Sequence, residues 1–178
     1  MRWLKRMLAT LAIVILALVV IAYFLPREVT VTRSITIAAA PEKIFPHLDS
    51  TQAMAAWSPW LERDPNVKQE FSGPEKGVGN RMSWQSDEPD VGSGSQEITA
   101  ITPNERVETR LDFGPRGTAT AWLALKPAGE ATEVTWGFHT DLGMNPIARY
   151  FGLMFPGMIG ADYDAGLARL KALVEKAE

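Results

Sequence analysis

Two patterns of hydrophobic and polar positions divide the chain. Residues 8–25 form an apolar run of 18 residues with no charge and two hydroxyls, those of Thr10 and Tyr23. After Pro26 the pattern changes to alternation. Val29, Val31, Ile35 and Ile37 interleave with Thr30, Thr32, Ser34 and Thr36, which predicts a strand with one buried face. Arg33 alone interrupts the inward register. Pro41-Glu42-Lys43 then opens a short helix, which Pro46 stops. Asp49 or Ser50 can cap a second short helix reaching about Trp57. Six further strands are predicted over 67–71, 80–85, 95–102, 106–113, 118–126 and 132–140, separated by Gly, Pro and Asn turns. The last two make a hairpin across Pro127-Ala128-Gly129-Glu130.

The pattern turns helical near the C-terminus. Asn145 is an N-cap with Pro146 at the first helical position, and Pro156-Gly157 is expected to break or kink the segment. A longer helix is predicted over 160–176. It places Tyr163, Gly166, Leu167, Leu170, Leu173 and Val174 on one face. Asp162 and Asp164 in its first turn, and Lys171 and Lys176 towards its end, suit the helix dipole. One amphipathic helix cannot bury its face alone, and about seven consecutive strands must curl around something. The fold class is therefore α+β: a curved antiparallel sheet of about seven strands around a long C-terminal helix, preceded by one N-terminal transmembrane helix.

At about 1.5 Å per residue the apolar run spans roughly 27 Å, near the thickness of a bilayer core. Charge then gives it a direction. Arg2, Lys5 and Arg6 precede it, whereas Arg27 and Glu28 nearly cancel after it. Positive residues stay cytoplasmic, so the expectation is a single-pass bacterial inner-membrane protein with a cytoplasmic N-terminus and a periplasmic domain. Residues 1–26 would be the anchor and 27–178 the domain. A cleaved signal peptide, with Val20-Ile21-Ala22 before the cut, and a buried core helix are the competing readings.

The split also changes the meaning of the net charge. The chain carries 18 basic and 21 acidic residues. Without the three N-terminal cations, the remainder has 15 against 21, a net −6. Such a surface argues against nucleic-acid binding. No cysteine is present, so disulfides, thiolate metal sites and thiol nucleophiles are excluded. With two histidines, His47 and His139, a His-rich metal site is not expected, and the sequence implies no cofactor.

Five stretches carry a family resemblance: 29–37 followed by Ala40-Pro41-Glu42-Lys43-Ile44-Phe45; Trp57-Ser58-Pro59-Trp60; 71–79 through Trp84; Thr132-Glu133-Val134-Thr135-Trp136; and Gly166-Leu167-Ala168-Arg169-Leu170-Lys171. In this order they resemble the SRPBCC superfamily, the helix-grip fold of START lipid-transfer domains. The bacterial polyketide cyclase/dehydrase branch is the most similar. The resemblance covers 28–176. It implies a hydrophobic cavity under the long helix but no single activity, since members include lipid carriers, cyclases and stress proteins.

Candidate ligand-binding residues follow from the aromatic content: Trp57, Trp60, Trp84, Trp122, Trp136, Phe138, Tyr150, Phe155 and Tyr163. Each is equally able to serve as core packing. His139 and Asp141 share one strand face, and such a pair is the weak candidate for a general base, although the sequence nominates no partner for it. Arg81 and Arg110 are expected to face solvent. The apolar segment 144–159 reads as a lid, a membrane-touching surface or an ordinary kinked helix. The leading functional expectation is binding of a hydrophobic small molecule or lipid, with membrane attachment through 8–25. A cyclase-, dehydratase- or hydrolase-type enzyme and a ligand-free structural domain are the alternatives. Orientation is directly testable: alkaline phosphatase fused to the C-terminus is expected to be active in cells. A well-expressed but inactive fusion refutes the outward orientation.

Overall fold

A computed structural model of the chain describes residues 2–61 and 63–176. The apolar run forms helix α1 (Arg2–Ala22). Strand β1 (Glu28–Ile37) follows, then a short helix α2 (Pro41–Ile44) that runs into a 3₁₀ turn at Phe45–His47. Helix α3 (Thr51–Ala55) is capped by Ser50, whose side chain accepts from the Ala53 amide. The strands β2 (Lys68–Ser72), β3 (Arg81–Gln85), β4 (Ser93–Thr102), β5 (Arg106–Asp112), β6 (Thr118–Ala128) and β7 (Ala131–Asp141) come next. Helices α4 (Pro146–Gly152) and α5 (Phe155–Glu175) end the described chain.

Among the described residues the seven strands form one antiparallel sheet, ordered β1-β7-β6-β5-β4-β3-β2. Consecutive hairpins account for every neighbour except β1, which pairs with β7. The long helix α5 lies against the concave face and packs mainly on β1. Alternation along the strands fills that face: Val29, Val31 and Ile37 from β1, Leu123 and Leu125 from β6, Val134, Trp136 and Phe138 from β7. They meet Tyr163, Leu167, Leu170 and Val174 of α5.

Three features depart from the sequence reading. The long helix begins at Phe155 rather than near 160. Pro156 sits in its first turn, where its missing N–H costs nothing, and the chain breaks earlier, at Leu153-Met154. Leu173, assigned to the buried face, is exposed. Arg33 does not spoil the inward register of β1. Gly160 of α5 leaves room for its guanidinium, which donates to Asp164 at 3.2 Å and to the Pro156 carbonyl at 3.2 Å.

The loop before β3 is fixed by Asn80. Its buried carbonyl oxygen accepts from the Thr51 amide at 2.6 Å and the Thr51 hydroxyl at 2.8 Å. Its amide nitrogen donates to the carbonyls of Pro74 and Glu75. One side chain thus satisfies all its own polar groups while tying α3 to the sheet.

The sheet and α5 meet most closely at Gly166. A Cβ there would stand 2.7 Å from the Trp136 ring and 3.2 Å from Pro59. Contacts on two sides leave no direction for relief. Gly166→Ala is therefore expected to destabilise the domain by about 1–3 kcal/mol, despite alanine's better helix propensity. Thermal unfolding monitored by circular dichroism checks it; an unchanged or raised melting temperature would show that the ring yields freely.

Candidate functional site

A cavity of about 360 Å³ lies between the concave face and the first half of α5. Its existence follows from side-chain size. Ala119 and Ala121 of β6 take inward positions with small side chains, and Ala119 lines the cavity. At one end the aromatic cluster closes it. Trp136 stacks on Tyr163 at 3.9 Å and 6°, and Trp57 and Trp60 meet Trp136 edge-on at 4.9 and 5.6 Å. The indole nitrogens are satisfied outside the cavity: Trp57 donates to the His47 carbonyl, and Trp60 to Asp162, which also pairs with Arg63. At the other end Trp84 meets Phe113 edge-on, and Phe138 meets Phe155.

The polar lining is sparse. Gln96 donates to Thr109 at 3.4 Å, and Thr140 donates to the Thr118 carbonyl at 2.9 Å. The charged residues among the described lining, Asp90 and Arg116, are both exposed. Tyr163 borders the cavity, and its hydroxyl has no hydrogen-bond partner among the described residues. Burial raises its pKa above the ordinary phenol value, so it stays protonated and can only donate or accept as a neutral hydroxyl.

Of the residues singled out from sequence, Trp57, Trp60, Trp84, Trp136, Phe138, Phe155 and Tyr163 line this cavity. Trp122 contributes to the wall, but its ring is turned to the convex face. There it covers Gly137 and lies under the Arg106 guanidinium at 5.3 Å. Tyr150 is elsewhere: its hydroxyl donates to the Leu18 carbonyl of α1 at 2.8 Å. His139 and Asp141 share a face, as read, but it is the convex one. The imidazole Nδ1 shares a 3.0 Å hydrogen bond with Thr30, and Asp141 pairs with Arg27, so they form no catalytic pair in the cavity. Strand parity explains the correction, since Trp136, Phe138 and Thr140 take the inward positions of β7. Arg81 and Arg110 are exposed. Thr109, Thr140 and Gln96 also line the cavity without standing among the sequence candidates; the parity of Thr109 with Val107, Leu111 and Phe113 is the signal that places it inside.

The comparisons with known proteins agree with this fold. Residues 28–175 match the family described as "Polyketide cyclase / dehydrase and lipid transport". The chain belongs to this family. Among curated proteins, none matches the sequence significantly. Solved structures share the fold at low identity. Protein CV1439 from Chromobacterium violaceum is 18% identical with a TM-score of 0.59, covering 83% of this chain and 98% of its own. A protein from Thermobifida fusca is 15% identical with a TM-score of 0.64, covering 84% and 95%. The di-domain ARO/CYC StfQ from the steffimycin biosynthetic pathway is 14% identical with a TM-score of 0.62; the match covers 84% of this chain and 51% of that one.

The Arg27–Asp141 pair closes the junction between α1 and the sheet. Two hydrogen bonds, at 2.7 and 2.5 Å, and a third from the Gly143 amide lower the Asp141 pKa to about 2. A lowered carboxylate pKa means the pairing contributes fully above its ordinary value of about 4 and is lost as the pH falls towards the folded value. An NMR titration should give a midpoint near 2 for Asp141. Arg27→Gln should move it up; a midpoint near 4 in the unaltered protein would contradict the pairing.

Proposed function

We propose that this protein is a membrane-anchored carrier or sensor that holds a hydrophobic small molecule or a lipid between the sheet and α5. The observation that carries this reading is the cavity itself. Its volume of about 360 Å³ falls in the range of small-molecule sites, and its walls are aromatic and aliphatic. Its charged lining residues lie at the exposed rim, where the polar end of an amphiphile would sit. The Tyr163 hydroxyl supplies an uncommitted hydrogen-bond donor for an oxygen on the ligand. A domain with a filled core and no ligand fits this open volume poorly.

The anchor belongs to the same reading. Helix α1 is 21 residues long, reaches a mean hydropathy of 2.4 and is exposed along its apolar length. An exposed surface of that kind is stable in lipid and unstable in water. Residues 1–26 thus act as the anchor and 27–178 as the domain, held on the periplasmic side by the N-terminal cations. Tethering keeps the cavity near a reservoir of apolar ligands.

A cyclase- or dehydratase-type enzyme is the second reading, favoured by the family description and the likeness to StfQ. It needs an acid or base inside the cavity, and Tyr163 is the titratable side chain that lines its buried part.

The full chain, extracted from its host in mild detergent, is expected to carry a ligand detectable by native mass spectrometry, and to take up a fluorescent fatty acid. Ala119→Phe fills the cavity and should weaken uptake by about tenfold or more, equivalent to at least 1.4 kcal/mol, with the circular dichroism spectrum retained. Ligand-free protein that takes up no fluorescent lipid refutes the binding reading. Turnover of a supplied polyketide that Tyr163→Phe abolishes would favour the enzyme.

A further inference from the structure

Nine large hydrophobic residues from Val29 onward are exposed among the described residues, and six of them crowd into one short stretch: Met144, Ile147, Phe151, Leu153, Met154 and Met158. They span the loop before α4, α4 itself and the first turn of α5. Each is at least 55% exposed. The charged residue in this stretch, Arg149, is only 5% exposed. A water-facing helix carries charges on its outer side, and this one carries aromatic, branched and thioether groups instead.

The position of the stretch is fixed by Arg149. Its guanidinium donates to the carbonyls of Ala22 and Tyr23 at 3.4 and 3.2 Å, and lies 5.4 Å from the Tyr23 ring centre. It also donates twice to the Gly143 carbonyl, at 3.0 and 2.9 Å. A buried cation thereby caps the C-terminal carbonyls of α1, where the helix dipole is negative. The Tyr150 hydroxyl, bonded to the Leu18 carbonyl, adds a second tie one turn deeper. Helix α4 is therefore held at the level where α1 ends.

We propose that α4 and the first turn of α5 form an apolar ledge that lies in the surface of the same bilayer α1 crosses. The proposal rests on the anchor reading of α1. Lipid is the occupant because the ledge is continuous with the lipid-facing surface of α1, so no separate partner has to be brought to it. Its mix of Phe, Ile, Leu and three Met residues suits an irregular acyl boundary rather than one shaped partner. The ledge is also the outer side of a cavity wall. Phe155 and Ile159 leave the same helix turn and face the cavity with Leu142, so a docked ledge places that wall against the lipid surface.

The absence of cysteine makes the test direct, because each introduced thiol is unique. Single variants Ile147→Cys, Phe151→Cys and Met158→Cys carry a nitroxide label, with Leu16→Cys as the anchor control and Thr120→Cys as the convex-face control. The full chain is reconstituted into vesicles of phosphatidylethanolamine and phosphatidylglycerol. Power-saturation measurements compare collisions with oxygen, which enriches in lipid, and with a nickel chelate, which stays in water. The three ledge labels should read about 5–10 Å inside the headgroup–acyl boundary, with the Thr120 label in water. Ledge labels as accessible to nickel as Thr120, beside a lipid-buried Leu16 label, overturn the ledge alone. A water-exposed Leu16 label overturns the anchor reading and the ledge with it. Strong spin–spin broadening between ledge labels would mean that a second copy covers this face, and would also overturn the proposal.

Discussion

The stacking of Trp136 on Tyr163 sets the distance between sheet and helix, and the cavity depends on that distance. The two rings lie 3.9 Å apart and nearly parallel. Gly166, one turn along α5, allows the Trp136 ring to approach the helix backbone. Trp57 and Trp60, from the chain after α3, close the cluster from the side. Where the large rings meet, the core is solid. Along the first half of α5, the small Ala119 of β6 lines the concave face instead, and the same spacing leaves a void. Tight packing at one end and small residues at the other are two consequences of one geometry.

That void is chemically simple. Its polar groups are mostly engaged with one another, as Gln96 is with Thr109 and Thr140 with Thr118. Engaged groups give a cavity little power to select by hydrogen bonding and leave shape and apolar contact in charge. The Tyr163 hydroxyl is the exception, a neutral group without a hydrogen-bond partner among the described residues. Membership of a family that spans cyclases and lipid transport fits such a container, since one fold serves many ligands by changing what lines it.

The domain is joined to α1 through hydrogen bonds to its backbone carbonyls. Arg149 and Tyr150 reach carbonyls at the end of α1, and Arg27 with Asp141 fastens the strand that follows. With no cysteine in the chain, these contacts and the aromatic cluster hold the molecule without covalent ties. An arginine inside an apolar segment reads from sequence as an interruption. In the structure it organises the whole junction.

The strands and the long C-terminal helix were legible in the sequence because alternation and helical spacing are local, repeating signals. The apolar run, the Ser50 and Asn145 caps, and the burial of Tyr163, Gly166, Leu167 and Leu170 were legible for the same reason. Seven of the nine aromatic candidates line the cavity; strand parity or helix face points Trp84, Trp136, Phe138, Phe155 and Tyr163 there, whereas Trp57 and Trp60 come from the turn after α3. Tertiary structure alone decided the rest. Whether a parity class is concave or convex depends on which side the helix covers, and that turned Trp122, His139 and Asp141 outward. Whether a proline breaks a helix depends on the turn it occupies, and Pro156 falls in the first. The α1 partners of Arg149 and Tyr150 lie about 130 residues away, beyond the reach of any local pattern. Periodicity marked most of the buried face, though not the exposure of Leu173 or the burial of Arg149; long-range contact decided what the buried residues pack against.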